Sequence, residues 1–113
     1  MKFKVEQRGT ITIISLQGSL MGGPDAAILN SQLHELLAEG KKLVVLDLTG
    51  VEFMNSSGLG MLIGGASTVK NAGGRLKLAH ASEKILTLIK ITKLAPVFEH
   101  HNSVSTAVES FKK

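Results

Sequence analysis

Cysteine is absent from the 113 residues. Disulfides, thiolate metal sites and cysteine nucleophiles are excluded with it. Tryptophan and tyrosine are also absent, and the four phenylalanines are scattered. A surface that stacks bases wants aromatics interleaved with cations. The basic excess, a net charge of +4, is spread along the chain without a block of like charge. Nucleic-acid binding is therefore not expected. No apolar stretch approaches the roughly 18 residues needed to span a membrane. The segment from Met1 to Gly9 lacks the apolar run of a signal peptide. A cytoplasmic protein without direct membrane insertion is expected. Proline occurs twice against twelve glycines, so tight turns and close backbone approaches fall to glycine.

With 43% hydrophobic and 19% charged residues, the chain has the composition of a folded domain and not of a disordered one. Its length suits one core, and residues 1–113 read as a single domain.

Phe3 and Val5 alternate with polar residues, which predicts a short strand. Arg8-Gly9 marks a turn, and the β-branched run Thr10–Gln17 predicts the second arm of a hairpin. Gly18–Gly23 reads as a loop. Pro24 fits the first position of a helix, with Asp25 in the first turn. Leu29, Leu33, Leu36 and Leu37 follow at helical spacing up to Gly40. Leu43–Leu48 is almost continuously apolar, as expected of a strand covered on both faces. Thr49–Asn55 reads as a loop. A helix then begins at Ser56 or Ser57, with Leu59, Leu62, Ile63, Ala66 and Val69 in one stripe, and ends at Ala72-Gly73-Gly74.

Arg75–Ala81 alternates as a strand, and Ser82 caps a short helix to about Ile91. Pro96–Glu99 is a candidate last strand, and Ser103 caps a final helix through Val104, Ala107, Val108 and Phe111. This order predicts a layered α/β domain: a mixed sheet of four to five strands with four helices packed on it.

Chemistry concentrates between Asp47 and Gly64. Ser56 and Ser57 stand where the chain enters a helix, at its positive end, where a phosphate would be well received. Gly58 allows close approach to the backbone. Met54 and Leu59 are expected to flank the serines with apolar surface that suits a docking partner. Met54, Asn55, Ser56, Ser57, Gly58 and Leu59 are thus the candidate partner-binding residues. A purely structural role is also open: Ser56 as a helix cap, with Gly58 and Gly60 easing packing. Asp47 either braces the following loop or tunes the site.

The stretch Asp47-Leu48-Thr49 followed by Asn55-Ser56-Ser57-Gly58-Leu59-Gly60 resembles the signature of the anti-sigma factor antagonists, a family of STAS domains. The order of elements, the Gly18-Ser19-Leu20 segment and the Ala72-Gly73-Gly74 turn match that family too. The resemblance implies a STAS fold and phosphorylation at Ser57, ahead of Ser56. It further implies a partner that is both anti-sigma factor and serine kinase, bound by the unphosphorylated protein and released on phosphorylation. A phosphatase would reset Ser57, and the cycle would regulate sigma-factor-dependent transcription. The family usually carries Asp where Asn55 and Met21 stand here. Relatives on the same fold serve without phosphorylation, as interaction subunits of lipid-transporting ABC systems or in stress-signalling assemblies.

Catalysis is not expected. Gly58-x-Gly60-x-x-x-Gly64 departs from the dinucleotide-binding spacing, and no P-loop or G-x-S-x-G occurs. His34 reads as a solvated helix residue, His80 is a base candidate by residue type alone, and His100-His101 reads as a loop pair. No base–nucleophile arrangement and no metal or cofactor site is legible.

Overall fold

The run Leu43-Val44-Val45-Leu46 has apolar side chains on both faces of one strand, so it needs cover on both sides. In a computed structural model of the chain it has that cover. The structure describes residues 2–91 and 99–112. The elements are β1 (Lys2–Arg8), β2 (Ile11–Leu20), α1 (Pro24–Ala38), β3 (Leu43–Met54), α2 (Ser56–Asn71), β4 (Arg75–Ala79), α3 (Glu83–Ile91), β5 (Glu99–His101) and α4 (Val104–Phe111). The five strands form one sheet in the order β1-β2-β3-β4-β5. β1 is antiparallel to β2, and the remaining pairs are parallel. On one face, Ile14, Leu16, Val44, Leu46 and Leu78 pack against leucines of α1 and α2 and against Ile85 and Ile89 of α3. On the other, Ile11, Ile13, Val45 and Ala79 pack against Ala107 and Val108 of α4.

Two segments expected to be loops are strand. β2 continues through Gly18 to Leu20, and β3 continues through Thr49 to Met54. Each extension supplies the other's hydrogen-bonding partner: Gly18 pairs with Val51, Ser19 with Phe53 and Leu20 with Met54. The register shifts between Ser15 and Gln17, and again between Gly18 and Ser19. At both places β3 has one residue more than β2. Such bulges bend and twist a strand, and they let polar and glycine residues remain in the ladder. Asp47 braces the first of them. Its Oδ1 accepts the Thr49 N–H at 3.1 Å and the Thr49 hydroxyl, and its Oδ2 accepts the Ser15 hydroxyl at 3.3 Å.

β4 stops at Ala79 instead of Ala81. At His80 the backbone enters the left-handed region, with φ 58°, and the ladder ends there. Pro96, Val97 and Phe98 of the expected last strand lie outside the described residues, and Glu99 opens β5. The His100-His101 pair belongs to β5 and not to a loop. Both helix caps expected near the C-terminus are present. The Ser82 hydroxyl accepts the Ile85 N–H at 3.3 Å, and that of Ser103 accepts the Thr106 N–H at 3.0 Å.

Lys77 points from β4 under α4 and is 1% exposed. Its ammonium pairs with Glu99 at 2.9 Å, donates to the Ser110 hydroxyl and lies 4.3 Å from the centre of the Phe111 ring. A buried charge persists when it is paired and hydrogen-bonded in this way. The Lys77 hydrogen bond holds the Glu99 carboxyl below the usual range, against a smaller opposing effect of burial.

Candidate functional site

The paired ends of β2 and β3 deliver the chain into α2. Asn55 follows β3 directly and has extended backbone, φ −101° and ψ −176°. Its N–H donates to the Leu20 carbonyl at 3.3 Å, which ties the turn to β2. Its side-chain Oδ1 accepts the Gly58 N–H at 2.8 Å. Asn55 is therefore the cap of α2, and the expectation of Ser56 in that role is corrected. Asn caps as well as Ser and stands one residue earlier, where the backbone is still extended. Ser56 and Ser57 become the first two helical residues, and both are exposed. Replacing Asn55 with alanine is expected to cost about 1 kcal/mol, read as a lower urea midpoint. Aspartate at the same position should retain the cap.

Gly58 is required by contact. A Cβ there would lie 1.9 Å from the Leu20 carbonyl oxygen. The first turn of α2 thus rests directly on the end of β2. Beside it, Gly22 has φ +81°, and a Cβ on it would come within 2.9 Å of the Ser57 Cβ. The Met21–Gly23 turn consequently lies against Ser57. It feeds α1 through Gly23, a cap without a side-chain hydrogen bond, and Pro24 at the first helical position. Between α1 and α2 runs an open groove of about 650 Å³, with Ser57 at its rim and Ala26, Ala27, Gly60 and Gly64 along its walls. Asn30 and Thr68 close its far part with a 3.0 Å hydrogen bond.

The sequence-derived candidates separate here. Asn55, Ser56, Ser57 and Gly58 are brought together at one turn. Met54 and Leu59 are 8% and 2% exposed and belong to the core. Their apolar surface faces inward because Met54 still alternates as a strand residue and Leu59 lies on the sheet-facing stripe of α2. The exposed apolar groups at this end are Met21, 49% exposed, and Phe53, 53% exposed. The sequence marks Met21 only as a departure from the family pattern, and nothing in it singles out Phe53, although the Gly22-Gly23 pair after Met21 could have marked the turn. Asp47 stands eight residues before Asn55 on the strand, and its contacts are those of the bulge. No histidine lines the groove at Ser57 among the described residues.

The model of the STAS domain family matches residues 2–107. The chain belongs to the STAS family. Within it, this STAS domain stands with the anti-sigma factor antagonists. It is 36% identical over 74 residues to the anti-sigma-B factor antagonist of Bacillus subtilis, an alignment that covers 66% of this chain and 67% of the relative. The fold matches that of the anti-sigma factor antagonist SpoIIAA in its unphosphorylated form, with a TM-score of 0.75 and 18% identity over 98% of both chains. SpoIIAA in its phosphorylated form matches with a TM-score of 0.73 and 19% identity, over 97% of this chain and 99% of that one. The mixed sheet of five strands and the four helices among the described residues are thus the expected STAS fold. Among the described residues, no helix is long and apolar enough to cross a membrane.

Proposed function

We propose that this STAS domain is an anti-sigma factor antagonist switched by phosphorylation of Ser57. Unphosphorylated, it binds an anti-sigma factor with serine kinase activity in the cytoplasm. Phosphorylation at Ser57 releases it, a phosphatase resets it, and sigma-factor-dependent transcription follows the cycle. The whole chain, 1–113, acts as one such domain, by binding and without catalysis. The observation that carries this reading is the placement of Ser57. Its side chain is exposed at the second position of α2, at the rim of an open groove, on a turn held by Asn55 and Gly58. A kinase can reach such a hydroxyl without unfolding anything. Ser56, one residue closer to the cap, is the lesser candidate. The docking face is the turn at Asn55–Gly58 with its exposed apolar neighbours Met21 and Phe53, while Met54 and Leu59 support it from below.

The test is to immobilise the protein, pass host lysate over it, and add magnesium-ATP to what is retained. A retained serine-kinase ATPase that places phosphate on Ser57, located by peptide mass spectrometry, supports the switch. Retention of membrane transporter subunits with Ser57 left unmodified would move the protein to the lipid-transport branch of the fold.

A further inference from the structure

The edge of the sheet remote from β1 is built from ionisable side chains. β5 consists of Glu99, His100 and His101 only, and it pairs with β4 through three residues. Immediately after β4 the chain turns toward α3, and two successive amides of that turn point back at β5. The His80 N–H donates to the His101 carbonyl at 3.1 Å. The Ala81 N–H donates to Nε2 of His100, also at 3.1 Å. His80 reaches this arrangement with φ 58°, a conformation in which histidine is more common than most side chains. One of the two bonds that hold the turn to β5 is thus ordinary backbone, and the other ends on a titratable ring.

A histidine nitrogen accepts a hydrogen bond only while it carries no proton. We propose that the bond between His100 and Ala81 is a pH-sensitive clasp that fixes the start of α3 to the edge strand and opens when the His100 ring is protonated. The groups around the ring work in the same direction. Burial pushes the His100 pKa below its ordinary value, and the neighbouring His101 and His80 push it further. Among the described residues, no carboxylate contributes to that shift. Glu99 of the same strand is engaged with Lys77 and Arg75 of β4, under α4. His101 lies 3.8 Å from that same Glu99. Glu83 and Lys84, at the start of α3, are exposed. Because the folded pKa is depressed, the stabilisation is complete above the unfolded value of about 6.5. It is lost as pH falls through the lower folded value. Opening would loosen the N-terminal end of α3. That helix forms, with Phe53, a groove of about 310 Å³ lined in part by Ile85, Leu88 and Ile91.

Amide hydrogen exchange of the full chain, followed by NMR, tests the clasp. Between about pH 7.5 and about pH 5, the protection factor of the Ala81 amide should fall about tenfold, while that of Val45 in the central ladder stays level. His100→Gln supplies an acceptor that does not titrate, and its Ala81 protection should not change with pH. Nitrogen shifts of the wild-type ring should show the neutral Nδ1–H form near neutral pH. A level Ala81 profile in the wild type overturns the proposal, as does a parallel fall in His100→Gln or a ring carrying its neutral proton on Nε2. Loss of the pH dependence in His80→Gln with His100 intact would also overturn it, by assigning the effect to His80.

Discussion

Replacing Gly58 with alanine is expected to destabilise the protein by about 3 kcal/mol. The added methyl would stand 1.9 Å from the Leu20 carbonyl oxygen and 3.0 Å from Cγ of Met54. The oxygen cannot step aside cheaply, because it accepts the Asn55 N–H and belongs to the last pair of the β2–β3 ladder. Either the ladder end or the first turn of α2 must move. Gly60 provides the internal control. It lies in the same helix, and a Cβ on it meets nothing within 4 Å. Gly60→Ala should therefore stabilise by about 0.5–1 kcal/mol, the ordinary gain of alanine over glycine inside a helix. Urea unfolding of the two variants measures both. A loss below about 1 kcal/mol for Gly58→Ala would mean that the helix is free to shift away from β2.

Ser57→Asp is expected to weaken binding to the anti-sigma kinase about a hundredfold, close to 3 kcal/mol, while the unfolding midpoint stays near that of the wild type. Two opposing effects decide the sign. At the start of α2 the helix dipole favours a negative group by roughly 0.3–1 kcal/mol, so the free protein accepts the charge. In a docked interface the same charge must leave water, at several kcal/mol per ion. The second effect is larger. A phosphate, with about −1.5 to −2 charge, should act more strongly than the carboxylate. Ser57→Ala should bind like the wild type and remain bound in the presence of ATP. Titration calorimetry with the purified kinase separates these outcomes. Equal affinity of Ser57→Asp and wild type would end the proposed switch.

The parts of the fold that the sequence displays are those where one residue pattern has one physical solution. The leucines of α1 and the apolar run of β3 are of this kind, and so is the serine pair where the chain enters α2. The long ends of β2 and β3 are different. Gly18, Ser19, Thr49 and Gly50 have poor strand character, and only their mutual pairing makes them strand. Lys77 looked like one more dispersed cation. Its burial depends on Glu99, Ser110 and Phe111, which arrive from more than twenty positions later in the chain. The same long-range assembly sets His100 against Ala81. At the site, the motif disclosed the turn but not its orientation. Which of Asn55 and Ser56 caps the helix depends on where β3 ends, and β3 ends six residues beyond its apolar stretch.

The way the Ser57 turn is fastened bears on how long a signal lasts. The turn is bonded to Leu20 through the Asn55 amide and abuts the same carbonyl at Gly58. With both attachments in the backbone, a phosphate added on the outside is expected to leave the path of the chain unchanged. On the proposed reading the protein therefore keeps no record of past phosphorylation beyond the phosphate itself. The persistence of a response would be set by the abundance of the kinase that writes the mark and the phosphatase that erases it, with no lag contributed by the fold.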